Sequence, residues 1–311
     1  MCEYLQQPRM RNFIVASHGQ TATKWFAKAL DLHPQINCSH GYYYPPLAAN
    51  DPRSEMPVAE QRRVTEERFF KRPEGLSLEE YFNELDELGR GQQADLPVFN
   101  GSVHCFTAAM MFNQLRTDRA DGLVWMNMVR HPIDRINSVV AHWTNILVDD
   151  ERFRKHLFEC DLLRCRHLIE LISEYHDVDF GTVQNALFIV ALLQLQDIHN
   201  DLKACLDHHV PIIVQERLVS DRSYFRDIAV HLTRDEIEIS KDYLDRIFAM
   251  PKINTHQLGS REWVEWEKYG FGLVMTEDVR LLYCDLGYAI TSGERFQPCE
   301  QRTLNNRVAK S

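Results

Sequence analysis

A short polar segment, residues 17–24, lies between an apolar run and a helical pattern, and its residue types suit the binding of a phosphate. The apolar run over residues 12–17 predicts a buried strand, and the apolar positions of residues 24–32 have the spacing of a helix that ends before Pro34. A tight loop between a strand and a helix presents several backbone N–H groups at one point, and the helix dipole adds to their attraction for an anion. This segment is therefore a candidate anion-binding loop.

The side chains of the loop support this prediction. Gly19 and Ala22 are small enough to let the backbone approach a ligand closely, and the hydroxyls of Ser17, Thr21 and Thr23 are further hydrogen-bond donors. An ordinary connection between a strand and a helix is the alternative interpretation of the same residues.

The loop differs from the Walker A motif of ATP and GTP enzymes. That motif, G-x-x-x-x-G-K-[ST], has a Gly before the Lys and a hydroxyl residue after it, whereas here Thr23 precedes Lys24 and Trp25 follows it. The hydroxyl after the lysine is the usual ligand of Mg²⁺, so its absence disfavours a metal-dependent kinase.

A second candidate site follows the apolar run at residues 123–129. Arg130 comes directly after this predicted strand, at the carboxyl end, where α/β sheets bind their ligands. Pro132 suits the first turn of the next helix, and Ser138 lies two turns further along it. An arginine fork and a serine hydroxyl together suit a phosphate monoester.

The elements that must position these residues alternate between strand and helix. Strands are predicted at residues 12–17, 97–99, 123–129 and 211–214, and helices at 24–32, 78–88, 133–147, 150–175, 181–206, 221–232, 234–248 and 276–286. Alternation over one length predicts an α/β fold with a central parallel sheet of four or five strands, covered by helices on both faces. We expect a single domain over residues 1–311, with residues 45–96 as an insertion or acceptor-side lid and residues 292–311 as a polar tail.

Composition limits the partners. The net charge is −10 without a basic stripe, so a nucleic-acid ligand is not expected. No apolar run is long enough to span a membrane, and the polar N-terminal residues lack the apolar core of a signal peptide, so a cytoplasmic protein is expected. The close set Cys160, Cys165 and His167 fits no common zinc spacing, and the eight cysteines are read as free thiols.

Two segments resemble the phosphate-binding motifs of sulfotransferases that use 3′-phosphoadenosine 5′-phosphosulfate. Residues 13–26 are similar to the family's Phe-Val-x-Gly-x-Pro-Arg-Ser-Gly-Thr-Thr-Trp-Leu, which binds the 5′-phosphosulfate. Arg130, Pro132, Arg135 and Ser138 match the family's Arg-x-Pro-x-x-Arg-x-x-Ser, which binds the 3′-phosphate. Residues 211–218, 253–263 and 282–288 resemble later segments of the family, so the resemblance covers nearly the whole chain except residues 45–96.

The resemblance implies a P-loop-like sulfotransferase architecture and a function. The chain would transfer a sulfuryl group from 3′-phosphoadenosine 5′-phosphosulfate to a hydroxyl or amine of a small-molecule or carbohydrate acceptor, without a metal. The implied donor-binding residues are Ser17, His18, Gly19, Gln20, Thr21, Ala22, Thr23, Lys24 and Trp25, with Arg130, Ser138 and Arg261 on the 3′-phosphate. In this alignment Trp25 matches the tryptophan that stacks on adenine.

The loop departs from the family at one position that carries chemistry. Gln20 stands where the family has an Arg or Lys beside the transferring group, and Lys24 stands where it has a neutral Thr. Lys24 could replace the lost cation, His18 could supply a proton, or the protein could be a catalytically impaired nucleotide-binding protein. A P-loop kinase is a further alternative, disfavoured by the missing Gly-Lys-Ser/Thr.

Two histidines are candidates for the general base that the acceptor needs. His40 follows the first helix, where related enzymes that modify sugars carry a catalytic carboxylate, and His104 follows the second strand, where enzymes acting on small alcohols and phenols carry a catalytic histidine. An imidazole with a pKa near ~6.5 suits proton transfer at neutral pH. The sequence does not decide between them, nor does it identify the acceptor or the oligomeric state.

Overall fold

A computed structural model describes residues 11–19, 21–40, 78–82, 99–104, 106–117, 122–147, 151–251 and 262–290. The chain forms two compact units. The first unit comprises residues 1–129 and 204–255, and the second comprises residues 130–203 and 256–311. Each unit is described by itself.

The secondary structure alternates between strands and helices in the first third of the chain and is helical through most of the rest. The strands are β1 (Asn12–Ala16), β2 (Ile36–His40), β3 (Phe99–Val103), β4 (Val124–Val129) and β5 (Ile212–Val214). The helices are α1 (Thr23–Asp31), α2 (Ala108–Thr117), α3 (Pro132–Leu147), α4 (Glu151–His156), α5 (Arg166–Ser173), α6 (Val183–Asp207), α7 (Gln215–Leu218), α8 (Arg222–Leu232), α9 (Lys241–Phe248), α10 (Glu265–Val274) and α11 (Glu277–Asp285). A π-helical turn over Leu157–Asp161 and a single turn over Leu162–Arg164 connect α4 to α5.

The first unit is built on a parallel sheet of five strands in the order β2-β3-β1-β4-β5. From β1 the chain goes to β2 at one edge of the sheet and returns to β3, which pairs with β1. It then crosses to β4 and β5 on the other side of β1. This reversal places a switch point between β1 and β4, and ligands of open α/β sheets bind outside the carboxyl ends of the strands at such a point. The predicted α/β fold with a central parallel sheet is confirmed.

Both faces of the sheet are covered, because the side chains of β1 alternate between two apolar clusters. Phe13 and Val15 pack with α1, α8 and α9, whereas Ile14 and Ala16 pack with α2 and a helical segment over residues 78–82. Parallel strands buried on both faces read as continuous apolar runs, as β1 does. Tyr81 from the helical segment places its hydroxyl 2.6 Å from the Ser102 hydroxyl on β3.

The second unit is helical, and it buries polar as well as apolar groups. It contains α3, α4, α5, most of α6, α10 and α11. Gly270 in α10 lies against α5 and α6, because an added Cβ there would lie 2.9 Å from Leu192 and 3.0 Å from Ile172. Within the described residues, no helix is long and apolar enough to cross a membrane.

The elements differ from the sequence predictions in six places, two of which are the unpredicted helices α2 and α7. Strand β2 was not predicted, since three of its five residues are polar. Helix α10 was not predicted either, since its two glycines lower helix propensity, although the packing of Gly270 explains one of them. The predicted helix over residues 150–175 is interrupted by the π-helical turn and by Cys165. The predicted helix from residue 234 begins instead at Lys241, because Arg234 and Asp235 adopt positive φ and Ser240 caps the helix.

Candidate functional site

The candidate anion-binding loop follows β1 in the first unit and is held by its own hydroxyls. The Ser17 Oγ lies 2.7 Å from the Thr21 Oγ1 and accepts a hydrogen bond of 3.0 Å from the Gly19 N–H. The Ser17 N–H donates to the carbonyl of Phe106, which fixes the start of the loop. Ser17 and Thr21 were predicted to donate to a ligand. In this structure their hydroxyls stabilise the turn, and their contact with a ligand stays a prediction.

Two residues of the loop have left-handed backbone. Gly19 has φ +79° and Ala22, directly before α1, has φ +57°. Glycine adopts this region freely, whereas an alanine there costs about 1–2 kcal/mol. Successive N–H groups in such conformations form concave anion sites, and strained backbone is concentrated where function requires it. These two positions suit an anion-binding turn at the start of a helix, and anion binding by the loop stays a prediction.

His104 is the residue that the structure brings against this loop. It lies just after β3, and an added Cβ on Gly19 would lie 2.7 Å from its Cε1 atom. Its Nδ1 is 3.2 Å from the carbonyl oxygen of Ser17, and its backbone, at φ +76°, is also left-handed. Because a carbonyl oxygen only accepts, the proton of the neutral ring lies on Nδ1 and Nε2 is the basic atom.

His40 ends β2 and stacks on His104. Their ring centroids are 5.2 Å apart with an interplanar angle of 25°. The His40 Nε2 is 2.9 Å from the Thr23 Oγ1 at the start of α1, and the residue is only 3% exposed. The pKa of His40 lies well below its usual value, mainly because the ring is buried and further because His104 and Lys24 are nearby.

The two candidate bases therefore lie side by side but differ in solvent exposure. His40 is enclosed, whereas His104 is half-buried beside the loop. A base must come within hydrogen-bonding distance of the acceptor's proton, and the burial of His40 favours His104 for that role.

Lys24 lies in the first turn of α1 and is half-buried. Its charge contributes, after burial and His104, to the lowered pKa of His40. His18 is half-buried between Ser17 and Gly19. Gln20 lies outside the described residues, so the replacement of the usual loop cation remains an observation on the sequence.

Trp25, the residue predicted to stack on adenine, lies among apolar side chains. The side chain is 5% exposed and packs edge-to-face on Phe225 and Phe248, with ring centroids 6.0 and 6.2 Å away. It belongs to the apolar cluster on one face of the sheet. The helical spacing that turns Phe26 and Leu30 into the core also buries Trp25, and its stacking on adenine stays a prediction.

The second candidate site lies in the second unit, where α3 begins. Arg130 precedes the helix and Ser138 lies on it, and both are half-buried. Arg135, between them in sequence, is fully buried and donates from Nη2 to the Gln194 Oε1 at 3.1 Å. Arg261, the further candidate for the 3′-phosphate, lies outside the described residues.

Sequence reasoning did not predict that the two histidines meet. The signal was present: Asn37-Cys-Ser-His40 and Asn100-Gly-Ser-Val-His104 share their polar pattern, and they lie side by side, with Asn37 opposite Asn100 and Ser39 opposite Ser102. The Asn37 Nδ2 donates to the Asn100 Oδ1 at 3.1 Å, which links the two strands through their side chains. Among the described residues, no group of three or more side chains could hold a metal ion.

No protein-family model matches this chain, and no curated protein matches it. Two solved structures are similar to it, and both are sulfotransferases. A sulfotransferase from Alicyclobacillus acidocaldarius is 19% identical, with 78% of this chain and 92% of that chain covered and a TM-score of 0.37. The sulfotransferase domain of the Synechococcus PCC 7002 olefin synthase is 12% identical, with 92% and 97% covered and a TM-score of 0.39. Because both TM-scores are below 0.5, the fold assignment rests on the strand order of this chain itself.

Proposed function

We propose that the chain transfers a sulfuryl group from 3′-phosphoadenosine 5′-phosphosulfate to a hydroxyl or amine of a small-molecule or carbohydrate acceptor. One observation carries the proposal: the imidazole of His104 lies against Gly19 in a left-handed loop that opens a helix. An anion site and a base are thus adjacent, as transfer from an anionic donor to a hydroxyl requires. The motif resemblance supplies the identity of the donor.

In this proposal His104 accepts the proton of the acceptor. The acceptor oxygen or nitrogen forms a bond to sulfur while its proton moves to the His104 Nε2. The bond from sulfur to the bridging oxygen breaks, and that electron pair stays on the phosphate. The hydrogen bond between Nδ1 and the Ser17 carbonyl supports this role, because it fixes the tautomer in which Nε2 is basic.

Lys24 is proposed as the cation that stabilises the leaving phosphate. Negative charge develops there in the transition state, and a fixed positive charge nearby lowers the barrier. The nearness of Lys24 to the histidine pair supports this role. The loop offers Gln20 where the family has its cation, so Lys24 is the first-turn residue available for the task.

Two segments, one in each unit, match the family's nucleotide-binding motifs. The backbone of residues 17–23 suits the 5′ side, since its left-handed positions and the start of α1 favour an anion. Arg130 and Ser138, with Arg261, are proposed for the 3′-phosphate on the strength of the motif match. The stacking of Trp25 on adenine is proposed from the same motif resemblance.

The test has two steps. Calorimetric titration with 3′-phosphoadenosine 5′-phosphate, ATP and GTP should give tight binding of the first ligand alone. Transfer of radiolabelled sulfate from the donor to a panel of hydroxyl and amine acceptors should then detect the reaction. Binding of ATP or GTP in preference to the bisphosphate would overturn the proposal in favour of a kinase.

Gln20 motivates one second candidate, a nucleotide-binding protein without transferase activity. It predicts tight binding of the bisphosphate and no transfer to any acceptor. Gln20→Lys, which restores the family residue, should then bring back transfer, whereas it should change little in a chain that uses Lys24.

A further inference from the structure

Tyr81 contacts residues on both sides of His104 in the chain. It lies in the helical segment over residues 78–82, the described part of the range predicted as an insertion or acceptor-side lid. The Tyr81 hydroxyl is 2.6 Å from the Ser102 Oγ, two residues before His104, and both side chains are buried. The Tyr81 ring packs edge-to-face on Phe106, two residues after His104, with ring centroids 5.1 Å apart. One side chain therefore connects the residues that flank His104.

These flanking residues are also bonded to the candidate anion-binding loop. The Phe106 carbonyl accepts a hydrogen bond of 2.9 Å from the Ser17 N–H, and the Ser17 carbonyl lies 3.2 Å from the His104 Nδ1. The His104 N–H donates to the Val15 carbonyl on β1 at 2.9 Å. A displacement of Phe106 would therefore move Ser17, and with it the hydrogen-bond partner of the His104 ring.

The backbone of His104 needs support from its surroundings. A non-glycine residue at φ +76° is uncommon, and such a conformation persists only where neighbouring contacts enforce it. The Tyr81 ring belongs to the apolar cluster that contains Ile14, Ala16 and Phe106, so its own position is fixed by packing. A packed ring with a bonded hydroxyl restricts where the residues on either side of His104 can lie.

We infer that Tyr81 is a positioning residue for the proposed base: its bond to Ser102 and its ring contact with Phe106 fix the place of the His104 imidazole. The inference rests on the proposed function for its effect on the reaction rate. The competing explanation is a core tyrosine that only joins residues 78–82 to the sheet.

Two single substitutions remove the same hydrogen bond from either side. Tyr81→Phe retains the ring, and Ser102→Ala retains the strand. We expect each to lower kcat about tenfold, because a small misplacement of a reacting group slows the reaction, and to leave the affinity for adenosine 3′,5′-bisphosphate unchanged in calorimetry. The double variant should be no slower than either single variant, because all three have lost one and the same bond.

Tyr243→Phe is the matched control. Tyr243 is also a buried tyrosine of the first unit, and its hydroxyl donates to the Ala29 carbonyl at 2.9 Å on the opposite face of the sheet. Loss of a buried hydrogen bond should lower the melting temperature by a few degrees in Tyr243→Phe as in Tyr81→Phe. We expect kcat of Tyr243→Phe to stay within about twofold of the wild type.

The imidazole signals of His104 give a readout that does not depend on catalysis. Long-range ¹H–¹⁵N NMR spectra of histidine-labelled protein distinguish the two neutral tautomers, and His104→Gln assigns the signals. The wild type should show one tautomer, with the proton on Nδ1. Tyr81→Phe should show a mixture of tautomers, whereas Tyr243→Phe should retain the wild-type spectrum.

The outcomes that overturn the inference are distinct from those that overturn the proposed function. Wild-type kcat in Tyr81→Phe or in Ser102→Ala, or an equal loss of kcat in Tyr243→Phe, overturns the inference and leaves the proposed function standing. Failure of both Tyr81→Phe and Ser102→Ala to fold makes the contact a requirement of the fold and also overturns the inference. A wild-type chain that transfers no sulfuryl group overturns the proposed function, and the His104 signals then decide by themselves whether Tyr81 orients that ring.

Discussion

At the residue scale, His104 combines a left-handed backbone with a ring that is held from one side by the Ser17 carbonyl and from another by the stacked His40. A non-glycine residue at φ +76° is uncommon and persists only where the surrounding contacts enforce it. These contacts fix both the tautomer and the orientation of the imidazole. Fixed geometry is what a general base needs, since the reacting atoms must already be in place.

Removing this base should slow the reaction without weakening donor binding. We expect His104→Gln to lower kcat by about 10²–10⁴-fold, the usual contribution of a general base. His18→Gln is the matched control, since His18 is also a loop histidine. An unchanged kcat in His104→Gln, together with a low kcat in His18→Gln, would move the base to His18.

The proposed role of Lys24 predicts a different kinetic pattern. A cation that acts on developing charge contributes mainly in the transition state, so Lys24→Met should lower kcat about 10²–10³-fold and change donor affinity much less. Lys28→Met provides the control, because Lys28 lies one turn further along α1 and is also half-buried. Equal rates for the two variants would show that Lys24 is an ordinary helix residue.

At the scale of elements, hydrogen bonds connect the loop after β1 to the residues at the ends of β2 and β3. The Ser17 hydroxyl braces Gly19, and His40 meets the first residue of α1. Since β1, β2 and β3 are parallel, their carboxyl ends lie at the same edge of the sheet, and every residue of this turn follows or ends one of them. The turn is therefore sensitive to a single added methyl group.

Gly19→Ala tests this sensitivity. An alanine at the left-handed position 19 should lower the free energy of unfolding by about 1–2 kcal/mol. Its Cβ must also displace the His104 ring. We expect the transfer rate to fall at least tenfold at temperatures where the protein is folded, by loss of the base's position. Gly287→Ala has the same backbone strain at φ +87° but meets nothing within 4 Å. It should lose comparable stability and keep its activity, and comparable activity losses in both variants would contradict this picture.

At the scale of the whole molecule, buried histidines link stability to pH. His40 in the first unit and His199 in the second both have lowered pKa values, the latter about 4. The unfolded chain has histidine pKa values near ~6.5, so below that pH it binds more protons than the folded chain. The free energy of unfolding should therefore be fully retained above about pH 6.5 and fall as the pH drops below it.

For His199 alone this loss should be about 1.4 kcal/mol per pH unit between about pH 6.5 and the folded pKa. Urea unfolding at pH 7, 6 and 5 measures it, and His40 should add a loss of the same sign. His199→Gln should flatten the dependence, whereas His167→Gln, at an exposed position, should leave it unchanged. Stability that is constant from pH 7 to 5 would contradict the proposed neutral state of the buried histidines.

The sequence by itself determined the fold class, and it identified a candidate anion-binding loop and two candidate histidines. Continuous apolar runs such as residues 12–17 and 123–129 predict strands of a parallel sheet, because such strands are buried on both faces. The loop was readable because small residues between a strand and a helix are a local pattern. Whether Arg130, Ser138 and Lys24 act as proposed stays a prediction, and Gln20 and Arg261 lie outside the described residues.

Only the tertiary structure decided which side chains meet and which are buried. The pairing of β2 with β3 brings His40 to His104 across more than sixty residues of chain, and the polar pattern that the two segments share does not by itself specify this contact. The tertiary structure also decides which side chains are buried. Trp25 lies in the apolar core, and the cationic Arg135 lies in the interior. The physical reason is the same in each case. Spacing along the chain fixes the face on which a residue lies, but the elements packed against that face determine its solvation, charge and partners.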